Sequence, residues 1–328
     1  MEVEKKITET QPDILDSLDK LVSPLTRGDP GSPLRWTCKS TYRLEEELKN
    51  QGYEVSANTV GTLLKGLGYS LQAPSKSEEG SNHKDRDAQF QYINEKVSTF
   101  HQDNQPVLSV DAKKKENIGN YANKGKEYQP KGKPERVKVY DFPDKKKGKV
   151  TPYGIYDEQR NEGFVNVGIS SDTAEFAVNS IRKWWYKKGQ ATYENSPSIL
   201  ITADGGGSNG SRVRLWKTEL QKLANELEKE IHVCHFPPGT SKWNKIEHKM
   251  FCHISSNWRG KPLISREVVV NLIGNTTTKT GLRIDAELDE NIYEKGIKIS
   301  DEQLAKVNLH KDDFHGNWNY IIKPSLNT

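Results

Sequence analysis

Three acidic residues stand where a metal ion could bind between them. Asp111 closes the apolar run Pro106-Val-Leu-Ser-Val-Asp111, and Asp204 closes Ser198-Ile-Leu-Ile-Thr-Ala-Asp204. Both runs read as buried strands, and ligand sites in open α/β sheets gather beyond the carboxyl ends of strands. A carboxylate there needs a compensating partner, because an unpaired buried charge is costly. A bound cation supplies one. The plainer alternative is a cap on the next turn, and for either aspartate alone it is the better reading. Glu247 changes that balance. Between residues 241 and 256 the apolar positions are Trp243, Ile246, Met250, Phe251 and Ile254. Glu247 lies four residues from both Trp243 and Phe251, so helical periodicity assigns it to the apolar side. An inward carboxylate wants a local Lys or Arg, or a metal shared with Asp111 and Asp204. Hard oxygen ligands favour Mg²⁺, with Mn²⁺ as a substitute. Two such ions about 4 Å apart could clamp the attacking and leaving oxygens of an in-line phosphoryl transfer.

The surrounding residues narrow this chemistry. The loop Gly205-Gly-Gly-Ser-Asn-Gly210 lacks the Gly-Lys-Ser/Thr ending of a nucleotide-phosphate loop. It reads as a tight strand-to-helix turn that lets a DNA backbone come close to Asp204. Residues 113–149 hold thirteen Lys or Arg against five Asp or Glu. Such a block either neutralises phosphates or is a solvated loop. Lys113, Lys114, Lys115 and, further along, Lys242 are the candidate phosphate contacts. The block also argues against a glycosidase built on paired carboxylates. Cys38, Cys234 and Cys252 form no Cys-x-x-Cys pair, so neither a zinc ribbon nor a disulfide framework is suggested and a reducing cytosol fits. His232/His235 and His248/His253 lack a third ligand in the pattern, so no metal is assigned to them. No run approaches the roughly 18 apolar residues of a membrane span, and no secretory signal is visible.

These residues must be held by a scaffold. Residues 14–25 are weakly amphipathic, and Arg27-Gly-Asp-Pro-Gly-Ser-Pro33 is a turn-rich connector. Two short helices follow. The first carries Leu44 and Leu48 and stops at Gly52; Ser56 caps the second, which puts Val60, Leu63 and Leu64 on one face and stops at Gly66. The pair resembles a helix-turn-helix unit whose second helix would offer Asn58, Thr59, Thr62 and Lys65 to a DNA groove. A purely structural helical hairpin is the alternative. After a polar linker, Phe90, Ile93, Val97 and Phe100 mark a helix near residues 87–101. Strands are predicted at 106–111, 150–156 and 164–169, then a helix opened by a capping box of Asp172 and Glu175. A strand at 198–204, a helix at 212–228, a strand at 231–236 stopped by Pro237-Pro238, and a helix from about Ser241 complete the order. That order is the one of the ribonuclease-H-like fold, an α/β class with a mixed sheet flanked by helices.

Three blocks resemble a known family. Ser109-Val-Asp-Ala-Lys-Lys-Lys115, Thr202-Ala-Asp-Gly-Gly-Gly-Ser-Asn209 and Pro237-Pro-Gly-Thr-Ser-Lys-Trp-Asn-Lys-Ile-Glu-His248 are similar to the blocks around the three acids of ISAzo-type insertion-sequence transposases, which carry the Rhodopirellula-type DDE domain. The last block also resembles that of mariner-like transposases. Gly28-Asp-Pro-Gly-Ser-Pro-Leu-Arg-Trp-Thr-Cys-Lys-Ser40, His83-Lys-Asp-Arg-Asp-Ala-Gln-Phe90, Pro152-Tyr-Gly-Ile-Tyr156, Asn257-Trp-Arg-Gly260 and Asn317-Trp-Asn-Tyr320 extend the resemblance over nearly the whole chain.

The resemblance implies a ribonuclease-H-like catalytic domain that cleaves and joins DNA at element ends. It implies metal-ligand roles for Asp111, Asp204 and Glu247. Double-stranded DNA, both element ends and target, is the implied partner of a homo-oligomer in the cytoplasm, associated with the nucleoid. The expected organisation is a helix and connector at 1–35, a helix-turn-helix-like region at 36–72, a linker and helix at 73–105, the catalytic domain at 106–260 and an extension at 261–328 with no assigned chemistry. Family members usually carry a further N-terminal segment, which this chain is expected to lack. A truncated, catalytically inactive DNA-binding remnant is therefore the alternative reading, and a host nuclease that cuts without joining is a third.

Overall fold

A computed structural model describes residues 7–22, 40–71, 83–144 and 146–325. The chain divides into two compact units, Met1–Glu78 and Glu79–Thr328.

The first unit is helical: α1 (Ile7–Thr10), α2 (Ile14–Val22), α3 (Thr41–Asn50) and α4 (Ala57–Gly66). Apolar residues four apart give α2 and α3 one buried stripe each, Ile14/Leu18 and Leu44/Leu48, which meet Val55 and Val60 in a single core. Ser40 and Ser56 cap α3 and α4 by accepting the N–H groups of Arg43 and Thr59. Gly52, at φ 93°, turns the chain after α3 through the left-handed region that a side chain disfavours. Asn58, Thr62 and Lys65 are exposed on α4, whereas Thr59 is half-buried with its hydroxyl bonded to Ser56. The connector after α2, including Cys38, lies outside the described residues.

The second unit opens with α5 (Arg86–Gln102) and then builds one mixed sheet. Its strands are β1 (Val107–Ala112), β2 (Glu116–Asn117), β3 (Lys149–Asp157), β4 (Glu162–Gly168), β5 (Ser198–Ala203), β6 (Glu230–His235), β7 (Arg283–Asp289), β8 (Leu309–Lys311) and β9 (Asn319–Ile322). They lie in the order β7-β4-β3-β1-β5-β6-β9-β8, with β2 against β3. β1, β5 and β6 are parallel, while β3 runs antiparallel to both β1 and β4. An antiparallel meander followed by two parallel strands on the far side of β1 is the ribonuclease-H-like arrangement. The helices are α6 (Ala174–Trp184), α7 (Gln190–Tyr193), α8 (Arg214–Leu227), α9 (Cys252–Asn257), α10 (Arg266–Gly274) and α11 (Asp301–Ala305).

Helices cover both faces, which is why residues 107–110 of β1 and all of β5 are buried on both sides of the sheet. On one face α6 and α8 bury Phe176, Ile181, Trp184, Trp216 and Leu220 against Leu108, Val110, Tyr153 and Ile201. On the other, Ile246, Met250, Phe251 and Ile254 pack over Tyr156 and Val165, and α5 packs Ile93, Val97 and Phe100 over Val107 and Leu200. Residues 261–328, set apart in the sequence as an extension, contribute both outer parts of this sheet: β7 pairs with β4, and β9 with β6.

Two local expectations are corrected. Asp172 does not cap α6. Thr173 does, because it holds the extended backbone just before the first helical residue and its side chain accepts the Phe176 N–H. The helix expected from Ser241 is interrupted: a 3₁₀ turn (Ser241–Trp243) ends at Asn244, whose backbone is extended, before a π-helical turn (Glu247–Phe251) leads into α9. Trp243 is 50% exposed and so is not part of an apolar face with Glu247.

The helix segment bearing Glu247 sits on a bare glycine. A Cβ at Gly154 in β3 would lie 2.6 Å from both Met250 Cε and Phe251 Cε1. Gly154→Ala should therefore cost about 1–3 kcal/mol by overpacking, measured by urea unfolding. A loss below about 0.5 kcal/mol would mean that the segment shifts freely.

Candidate active site

The sheet register brings the two aspartates together. Ser109 and Asp111 in β1 point to the face opposite Leu108 and Val110, as alternation along a strand requires. β5 follows the same alternation up to Asp204, and Val110 pairs with Ala203 across the parallel ladder. Asp111 and the residue following β5 are thus neighbours at the carboxyl ends of adjacent strands.

Asn244 attaches the third element. Its Oδ1 accepts the Ser109 hydroxyl at 2.5 Å, and its Nδ2 donates to the Val110 carbonyl and to Asp204 Oδ1, each at 3.2 Å. The Ile246 N–H donates to the same Ser109 hydroxyl at 3.0 Å. Asn244 is fully buried, three residues before Glu247. The break in the helix is what lets this side chain turn into the sheet.

A second chain of bonds fixes the backbone of Asp204. His235 is fully buried, and burial depresses its imidazole to about 4, so it is neutral. Its Nδ1 lies 3.0 Å from the Asp204 carbonyl, which can only accept, so Nδ1 carries the proton. Nε2 then accepts the Tyr320 hydroxyl at 3.1 Å, and that hydroxyl accepts the Trp216 N–H at 3.0 Å.

The acids repel one another. Burial pushes the Asp111 carboxyl up to about 8, with Asp204, Glu247 and Asp172 adding to the rise and the Ala112 N–H opposing it. Burial raises Asp204 to about 6; the Asn244 amide opposes this and Glu247 adds to it. No Lys or Arg is among the groups that shift either aspartate. Burial and the charges of Asp111, Asp172 and Asp204 also hold the Tyr153 phenol well above its ordinary range.

A cavity of about 680 Å³ opens on this cluster. Asp111, Asp172 and Asp204 line it, together with the 205–209 loop, Pro237, Pro238 and Trp318. Glu247 is half-buried and lies outside the lining, close enough to raise both aspartates. Asp172 Oδ1, Ser208 Oγ and Tyr153 Oη are buried without a hydrogen-bond partner. Asp172 was missed in the sequence because its spacing to Glu175 imitates a capping box. Ser109 and Asn244 stand inside the quoted motif blocks, but neither periodicity nor composition distinguishes them from solvated polar residues.

The candidate phosphate contacts are spread out. Lys113 is mostly buried, its ammonium 4.8 Å above the Trp258 ring and 4.0 Å from Glu116. Lys114 and Lys115 are exposed, as is Lys242, whose ammonium lies 5.4 Å over Trp243. The basic segment after β2 is irregular yet fastened: Gly119 N–H donates to the Leu263 carbonyl, Gly260 N–H to that of Lys124, and Asn123 Nδ2 to that of Trp258.

The sequence matches the model of the Rhodopirellula transposase DDE domain over residues 17–324. The chain belongs to this family. Solved structures similar to this DDE domain include a pre-cleavage Mos1 transpososome, 14% identical with a TM-score of 0.44, covering 82% of this chain and 71% of that one. Another is the Mos1 mariner paired-end complex with Mn, 14% identical with a TM-score of 0.42, covering 82% and 70%. No curated protein matches the chain. Among the described residues no helix is long and apolar enough to cross a membrane.

The raised carboxyls fix a pH response for the metal-free DDE domain. Folded values of about 8 and about 6 lie above the ordinary 3.8, so the folded state keeps protons that the unfolded chain has released. Their stabilising contribution is complete below about pH 4 and is lost as pH rises through 6 and then 8. Thermal unfolding in chelator should show Tm falling across that window, and Asp111→Asn should flatten the fall. Identical curves for wild type and variant would contradict the assigned repulsion.

Proposed function

We propose that this DDE domain cleaves DNA at the ends of an insertion sequence and joins it to a target, with Asp111, Asp204 and Glu247 holding Mg²⁺ or Mn²⁺. The supporting observation is the meeting of two strand-end aspartates with a helix-borne glutamate, unrelieved by any cationic side chain acting on the aspartates. The donors fit such an ion. They are hard oxygens, and the buried, unpartnered Asp172 Oδ1 adds one more beside them. When bound, a pair of such ions activates a water or 3′-hydroxyl as nucleophile and stabilises the leaving oxygen.

The chain's own residues do the positioning. Asn244 and Ser109 hold the Glu247 segment to β1, and Asn244 orients the Asp204 carboxylate. Neutral His235 fixes the Asp204 carbonyl and adds no charge to the centre. The 205–210 turn leaves room for a phosphodiester backbone beside Asp204. Lys114, Lys115, Lys242 and the basic segment supply phosphate contacts, with Lys113 set deeper against Trp258. In the helical unit α4 offers Asn58, Thr59, Thr62 and Lys65 to double-stranded DNA. A homo-oligomer assembled on DNA would hold two element ends.

The test is Mg²⁺-dependent cleavage and strand joining on the DNA that flanks the gene. Glu247→Gln and Asp204→Asn should each lower activity on the order of 10³-fold or more while DNA affinity stays nearly unchanged. Retained activity in Glu247→Gln rejects the triad. Binding by the wild type without cleavage or joining favours a DNA-binding remnant, and cleavage without joining favours a nuclease. Binding itself should weaken steeply with salt through the 113–149 block. A flat response between low and moderate salt would remove that block from the interface.

A further inference from the structure

Outside the acidic cavity, one cluster joins residues that neither the sheet nor the proposed chemistry requires. His83, Asp85 and His315 each place one ligand atom within 4.8 Å of the others. His315 Nε2 lies 3.0 Å from Asp85 Oδ2, and His83 Nδ1 lies 3.8 Å from the same oxygen. All three side chains are partly open to solvent, so an ion could enter.

Several features hold the three groups in place. Asp85 is the N-cap of α5, where an aspartate ordinarily accepts an N–H of the first turn. It makes no such bond, and its carboxylate faces the imidazoles. His83 Nδ1 accepts the Asp85 N–H at 3.2 Å, which puts the proton on Nε2, and an ion bound at Nδ1 would take over the lone pair that this bond now uses. His315 adopts φ 50°, a left-handed conformation unfavourable to a residue with a Cβ. Trp318 stacks on His315 at 4.4 Å and meets His83 edge-on at 4.8 Å, fixing both rings.

We propose that His83, Asp85 and His315 bind a zinc-class divalent cation at a site separate from the acidic centre. Two imidazole nitrogens and one carboxylate oxygen suit Zn²⁺, whereas Mg²⁺ prefers an all-oxygen shell. Tetrahedral bonds of about 2.0–2.1 Å set ligand atoms roughly 3.3 Å apart, and the two distances to Asp85 Oδ2 bracket that separation. Water or a further ligand completes the shell. The ion would pin the start of α5 to the turn between β8 and β9. The Trp318 backbone N–H donates to the His315 carbonyl, its backbone carbonyl accepts the His235 N–H, and the residue lines the acidic cavity. The cation is therefore a clamp on one wall of that cavity, selected by softer donors than those of the acidic centre.

The test uses the untagged full chain, stripped with chelator and titrated with Zn²⁺ against a chromophoric competitor in excess Mg²⁺. A single ion per chain is expected, with a rise in Tm on loading. His83→Gln and His315→Gln should each weaken binding by more than the roughly 10–100-fold that loss of an outer partner costs, and Asp204→Asn should bind as the wild type does. Co²⁺ provides a reading on the wild type alone: the intense visible bands of a four-coordinate ion support the site, and a spectrum like that of the hydrated ion overturns it. Binding unchanged in folded His83→Gln, or lost in Asp204→Asn, also overturns it, leaving the three groups as a hydrogen-bonded cluster without metal.

Discussion

The acidic centre depends on one buried amide. Asn244 is bonded to a β1 hydroxyl, a β1 carbonyl and the Asp204 carboxylate at once. Buried polar groups are tolerated when all their bonds are made, and such networks then specify a unique arrangement. Here the network connects three parts of the sequence that share no local preference for one another. The helix after β6 is broken to permit it, and the π-helical turn at Glu247–Phe251 restores contact between Met250, Phe251 and the glycine surface of β3. Single π turns of this kind often accompany functional sites.

Electrostatics and packing oppose each other around this network. Helices on both faces keep water from the sheet, and the same burial raises the carboxyls that project from the ends of its strands. Two buried aspartates of like charge are costly as a purely structural device, because burial and mutual repulsion both oppose their ionised forms. Elsewhere in the sheet a buried acid can be relieved by its neighbours. Asp289 is held to about 2, against the effect of its burial, by Asn166, the Asn291 N–H, Lys183 and Tyr293. Asp111 and Asp204 have no such cation among the groups that shift them.

Much of this was legible in the residues. Apolar runs ending in Asp111 and Asp204 betray parallel strands buried on both faces, and the order of elements yields the sheet that the registers then show. Leu44, Leu48 and Gly52 locate α3, and the capping serine Ser56 locates α4. Two things were not legible. The path through Asn244 is decided by tertiary bonds to Ser109, which a helical period cannot anticipate; the period placed Trp243 on a buried face where it is exposed. The roles of the final strands also escaped, because β7 is largely polar, β9 is only four residues long, and both gain their stability from neighbours distant in sequence. The histidines that cluster were likewise 232 positions apart, from His83 to His315, and no spacing rule spans such a separation.

Tyr320 has a consequence for the order of synthesis. Asp111, Asp204 and Glu247 all leave the ribosome before β9. Until β9 docks, β6 has a bare outer edge, His235 lacks its hydroxyl partner and the Trp216 indole has no oxygen to bond. The peptide that carries Asp204 is therefore secured in part by a residue more than a hundred positions further along the chain. A chain grown only as far as Glu247 has all three acids but lacks the Tyr320 hydroxyl that completes the support of Asp204, so the centre is finished only once β9 has been made and docked.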